Sequence, residues 1–105
     1  MIKIELSETD VRVVNDTSYH VQCEFGLAFK KEERTPGLQA KIDALRSLEK
    51  RSFENPAAAT WELSEIEAKA LKFAVWSMST MKKYVRKKEA ADLLKRIPVE
   101  VESFE

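Results

Sequence analysis

The sequence predicts a mainly α fold: two stacked helical hairpins, with a small sheet of short strands near the termini. Three observations lead there. Residues 57–97 contain no Gly or Pro and carry apolar side chains at three- and four-residue spacing, the period of a helix with one buried side. Ser7 and Ser64 each stand three residues before an acid, the pattern of a helix-starting capping box. Finally, Ile4-Glu-Leu-Ser-Glu-Thr-Asp-Val-Arg12 aligns with Trp61-Glu-Leu-Ser-Glu-Ile-Glu-Ala-Lys69, with four identities and then acid, aliphatic and base in the same order. Such a repeat implies two stacked strand–helix–helix units. The rival architecture is α+β, with an N-terminal three-stranded meander packed on helices.

Ile2, Ile4 and Leu6 alternate with Lys3 and Glu5, so residues 2–6 read as a half-buried strand. Residues 8–30 support two readings. As a helix, Val11, Val14, Ser18, Val21, Phe25, Ala28 and Phe29 share a face. As strands, residues 19–29 alternate after a turn at Asn15-Asp16, and Asn15-Asp-Thr-Ser18 is poor helix material. The internal alignment decides for helix.

Thr35-Pro36 opens a second helix over 36–53, with Thr as cap and Pro where its missing amide costs nothing. Leu38, Ile42, Leu45, Leu48 and Phe53 form its stripe, and Asn55-Pro56 ends it. Residues 55–60 are a connector too short and apolar to separate domains. The expectation is one domain over 1–105, with halves 1–55 and 56–105.

The third helix is expected over 64–86, with Leu71, Ala74, Val75, Met78, Met81 and Val85 on its buried side. The later apolar positions Ala90, Leu93, Leu94 and Ile97 are rotated from that stripe. A break near Arg86-Lys87-Lys88 therefore separates it from a fourth helix over 88–97, which Pro98 stops. Val99-Glu-Val-Glu-Ser-Phe104 alternates as a strand able to pair with residues 2–6, as Trp61–Leu63 also can. The chain's opening, a short strand and then Leu-Ser-Glu-x-acid, is similar to that of many small bacterial and phage proteins. That similarity is confined to the opening and carries no function across.

Composition excludes more than it assigns. A hydrophobic content of 44% with 34% charged residues suits a folded chain rather than a disordered one. Eighteen basic and eighteen acidic residues leave no net pull towards nucleic acid or anionic lipid. One Cys cannot form an internal disulfide, and a reducing cytoplasm is the expected setting. No run approaches the ~20 apolar residues of a membrane span, so no membrane partner is expected.

His20-Val-Gln-Cys23 is the one pairing of metal-ligating types, and zinc needs about four such ligands. A Cys–His nucleophile also needs an orienting group and an oxyanion site, which no motif supplies. No glycine-rich phosphate loop, nucleophile elbow or HExxH pattern occurs. No enzyme activity, cofactor or metal is expected.

Two features remain. Phe73, Trp76, Thr80 and Tyr84 lie on a second helical stripe, which the sequence reads first as core and otherwise as a surface. In the surface reading Phe73, Trp76 and Tyr84 are anchors for a protein partner or a second copy, since rigid aromatics dominate interface energetics. Lys82, Lys83, Arg86, Lys87 and Lys88, followed by Lys95 and Arg96, form a basic segment over 82–96 opposed only by Glu89 and Asp92. Helix-end charge complementarity accounts for it, and a nucleic-acid interface with Tyr84 stacking on bases is the alternative. The function expected is a non-enzymatic interaction module, acting as adaptor, inhibitor or self-associating subunit. The alternative is a nucleic-acid-binding regulator.

Overall fold

The computed structural model describes residues 1–102. Its elements in chain order are β1 (Ile2–Leu6), α1 (Glu8–Ala28), a 3-10 turn (Lys31–Glu33), α2 (Pro36–Glu54), β2 (Ala59–Leu63), α3 (Glu65–Ser79) and α4 (Lys87–Arg96). The fold is mainly helical, with one small antiparallel sheet of β1 beside β2. Ile4, Leu6, Trp61 and Leu63 are buried while their neighbours in the strands are exposed, so one face of the sheet joins the helical core.

Ile4 lies opposite Trp61, with Ile2 opposite Leu63 and Leu6 opposite Ala59. Ile4 and Trp61 are also the residues that open the two aligned stretches. The pairing is therefore centred on equivalent positions and relates the strands by a local two-fold axis. Two arginines obey the same relation. Arg51 donates to the Glu62 carbonyl and Arg96 to the Glu5 carbonyl, both at 3.0 Å, and Glu5 and Glu62 are equivalent in the alignment. Arg51 also stacks over the Trp61 ring at 4.5 Å, and Arg96 reaches the buried Asp10 carboxylate at 2.8 Å.

Local chemistry starts the first three helices. Ser7 accepts from the Asp10 amide while the Asp10 carboxylate accepts from the Ser7 amide, and Ser64 and Glu67 do the same. Thr35 accepts from the Leu38 amide, with Pro36 in the first turn of α2.

Residues 8–28 form one helix, which removes the meander. Asn15 and Asp16 of the polar run that argued for a turn find partners far along the chain and Thr17 finds one within the helix, while the buried Ser18 hydroxyl has none among the described residues. Asn15 donates to Ser52 at 2.9 Å, Asp16 accepts from Tyr84 and Arg86, and Thr17 bonds back to the Val13 carbonyl at 2.8 Å. α1 packs against α2, α3 and α4, so it buries Val13 as well as Val11, Val14 and Val21, a wider face than one stripe.

Four expectations are corrected. α3 stops at Ser79, because the Ser79 and Thr80 hydroxyls return to the Trp76 and Ser77 carbonyls and the Met81 amide closes a tight turn onto Met78. The break thus spans 80–86, and Met81 and Val85 are exposed rather than buried. Phe53 is 82% exposed, since the next core position of α2 is Ser52, one step around the helix. Ala28 is exposed too, at the free end of α1. Residues 99–102 form no strand: the Glu5 carbonyl on β1 is taken by Arg96, and Val99 packs on the core instead. Ser103 and Phe104, the end of that expected strand, lie outside the described residues.

Replacing Arg96 by Ala leaves the buried Asp10 carboxylate without its cation and should lower stability by about 2 kcal/mol in denaturant titration. Arg51→Ala, which frees only a carbonyl and an aromatic face, should cost about half as much.

A candidate partner-binding surface

Spacings of four and three residues put Phe25 with Phe29 on one side of α1, and Phe73 with Trp76 on one side of α3. Packing of α1 on α3 joins the pairs into a ladder. Phe25 stacks on Phe29 at 5.8 Å between centroids, meets Phe73 edge-on at 5.9 Å, and Phe73 leans on Trp76 at 5.8 Å. Phe25, Phe29 and Phe73 are half-buried against the core, whereas Trp76 is 42% exposed. The buried positions of α3 are Ala68, Ala70, Leu71, Ala74, Val75 and Met78, and Trp76 is not among them.

More apolar surface borders the ladder. Leu27 is 90% exposed on α1, with Tyr19 and Met81 also open to solvent. Tyr19, Cys23 and Leu27 of α1 face Ser77, Thr80 and Met81 across a shallow groove. A hydrophobic residue left out of the core costs nothing by itself. Large apolar side chains of this kind, exposed on a folded surface, are the type that anchors protein interfaces.

His20 and Cys23 both line that groove, as the helical spacing requires. The His20 ring faces Glu24, with Nε2 to Oε2 at 3.1 Å. Among the described residues no hydrogen bond joins His20 to Cys23, and no three His, Cys, Asp or Glu side chains come together as a metal site. No helix among them is long and apolar enough to cross a membrane.

Tyr84 stands apart from Phe73 and Trp76 in its bonding. Its hydroxyl donates to Asp16 at 2.9 Å, and Arg86 donates to the same oxygen at 2.8 Å. These two side chains fasten the 80–86 segment to α1. Burial first, and then the Asp16 carboxylate, hold the Tyr84 phenol well above its ordinary range. Its ring is half-buried against the core.

Lys82, Lys83, Lys87 and Lys88 are exposed and make no ion pair among the described residues. Only Lys95 and Arg96 sit where a helix end favours cations. Lys87 and Lys88 sit in the first turn of α4, whose start has no side-chain cap, so they oppose the helix dipole. Helix-end complementarity therefore explains Lys95 and Arg96 and not the rest of the basic segment.

Comparison with protein-family models, with curated proteins and with solved structures finds no match. Asp16, Leu27 and Arg51 were not singled out from the sequence as contact residues, and Arg96 was read only as a member of the basic segment 82–96. Leu27 could have been: on a helical reading it falls outside the stripe of Val14, Val21 and Phe25.

A phenol whose pKa is raised on folding keeps its proton longer in the native state than in the unfolded one. Its stabilising contribution is whole below pH ~10 and declines as pH rises beyond that. Melting temperatures measured from pH 8 upward should fall above that point, and Tyr84→Phe should flatten the fall while lowering stability near neutrality.

Proposed function

We propose that the chain is a non-enzymatic interaction module of a reducing cytoplasm, which docks a protein partner, a second copy among the candidates, through the exposed Trp76 at the end of its aromatic ladder and the exposed Leu27 of α1. The observation that carries this reading is the 42% exposure of Trp76 on a base of rings already packed on the core. Such a base lets an aromatic anchor bind without first losing side-chain freedom. Trp76→Ala and Leu27→Ser should weaken a captured partner's binding at least about tenfold while leaving the melting temperature unchanged. Sedimentation velocity across a concentration series tests the second copy directly. A Trp76→Ala protein that unfolds, or that binds as tightly as the parent, removes the surface from consideration.

A second reading is favoured by one observation of its own. Lys82, Lys83, Lys87 and Lys88 project from the 80–86 segment and the uncapped start of α4, an arrangement that an anion would relieve. In this reading the basic segment grips nucleic-acid phosphates, without base stacking by Tyr84. Anisotropy with labelled duplex and single-stranded oligonucleotides should then show binding that falls steeply between about 50 and 200 mM salt. Lys83→Glu with Lys87→Glu should abolish it without unfolding the protein, and no binding at the lower salt ends the reading.

A further inference from the structure

The equivalence of Ile4–Arg12 with Trp61–Lys69 extends to side-chain contacts. Glu8 and Arg12 form an ion pair one turn apart on α1 at 3.9 Å, and their equivalents Glu65 and Lys69 do so on α3 at 3.2 Å. On α3 a third member is present. Lys69 also meets Glu102, at 3.5 Å, because the chain beyond α4 returns along α3. That return is fixed by Lys72, whose ammonium donates to the carbonyls of Leu94 and Ile97 at the end of α4, and by Val99, half-buried on the core.

On α1 the corresponding return is missing, since the chain leaves α2 through Asn55-Pro56 to enter β2. A cleft of about 320 Å³ lies between α1 and the end of α2. Val11, Phe53 and Pro56 supply its apolar wall, and Arg12, Asn15 and Arg86 its polar edge. The acid lining it, Asp16, is already held by Arg86 and Tyr84. Arg12 and Arg86 against Asp16 leave the lining with a positive excess, and Glu8 engages Arg12 only loosely.

We propose that this cleft is a docking groove for an extended segment of another protein, carrying an apolar side chain and, three residues on, a carboxylate. The apolar side chain packs against Phe53 and Pro56, and the carboxylate pairs with Arg12. The carboxylate repeats on Arg12 what Glu102 does on Lys69, its equivalent on α3, and the spacing to the apolar side chain is that of Val99 to Glu102. The groove includes neither Trp76 nor Leu27, so either site stands without the other.

The probe is a labelled peptide with the sequence of residues 97–105, IPVEVESFE, its free ends blocked, titrated by fluorescence anisotropy into the full chain. Saturable binding is expected, weakened about tenfold or more by Arg12→Glu and also by Phe53→Ala, and unchanged by Lys69→Glu. Both substituted side chains on the groove are exposed, so melting curves should match the parent. A peptide with Gln in place of each Glu should bind more weakly and with less salt dependence. Absence of saturation up to about 1 mM protein overturns the proposal. So does binding lost in Lys69→Glu but kept in Arg12→Glu, which would mean that the peptide displaces the chain's own segment on α3. Self-association abolished by Arg12→Glu would make a second copy the occupant and overturn the assignment to another protein.

Discussion

The pairing of β1 with β2 about Ile4 and Trp61 is the constraint on which the rest of the structure depends. Two short strands alone are marginal in water, so this pair needs cover on one face and fastening at its edges. Cover comes from the helices, against which Ile4, Leu6, Trp61 and Leu63 are buried. Fastening comes from Arg51 and Arg96, each of which reaches from the last turn of a second helix to a strand carbonyl of the other segment. Each strand also runs straight into a capping box, at Ser7 and at Ser64. The register of the sheet therefore sets where α1 and α3 begin, and the two arginines set where α2 and α4 end. Slipping either strand by one residue would turn its own buried pair outward, Ile4 with Leu6 or Trp61 with Leu63, and carry its carbonyl away from the arginine that holds it.

What was legible in the sequence was local. Capping boxes and Thr35-Pro36 act within a few residues, and α1, α2 and α3 begin where they place them, whereas strand alternation located β1 but also marked residues 99–102, which form no strand. What was not legible depends on partners far along the chain. Asn15-Asp-Thr-Ser18 resembles a turn until Ser52, Tyr84 and Arg86 are beside it. The stop at Ser79 rests on small hydroxyls that the apolar stripe through Met81 and Val85 overrode. Phe53 was assigned to the core because it is aromatic. The geometry of α2 buries Ser52 instead, whose hydroxyl is satisfied by Asn15 and the Glu49 carbonyl.

The candidate surfaces show the same division. Phe73 and Trp76 were visible as one stripe, yet which of them packs depends on how far α1 extends beside α3. Phe25 meets Phe73 and leaves Trp76 at the margin. The lysines were visible as charges, but the sign of their interaction with the backbone was not. On a helix running to residue 86, Lys82 and Lys83 would stand at a negative end. With the helix beginning at Lys87, Lys87 and Lys88 stand at a positive one. Ending α3 at Ser79 takes Lys82 and Lys83 out of its last turn, and no favourable helix end replaces it.

The two segments match at their starts and diverge further on, and the candidate surfaces lie in the divergence. α1 runs 21 residues and α3 only 15, so the turn of α1 that carries Phe25 and Leu27 has no helical counterpart. The stretch that replaces it in the second segment is 80–86, which carries Met81, the exposed lysines and the anchors Tyr84 and Arg86. The exits differ as well: one continues into β2 and leaves Arg12 beside an open cleft, while the other folds back and puts Glu102 on Lys69. Equivalent residues do the structural work of pairing, capping and clamping. The exposed side chains beyond the matched starts, Leu27 and Met81 among them, are free of that work.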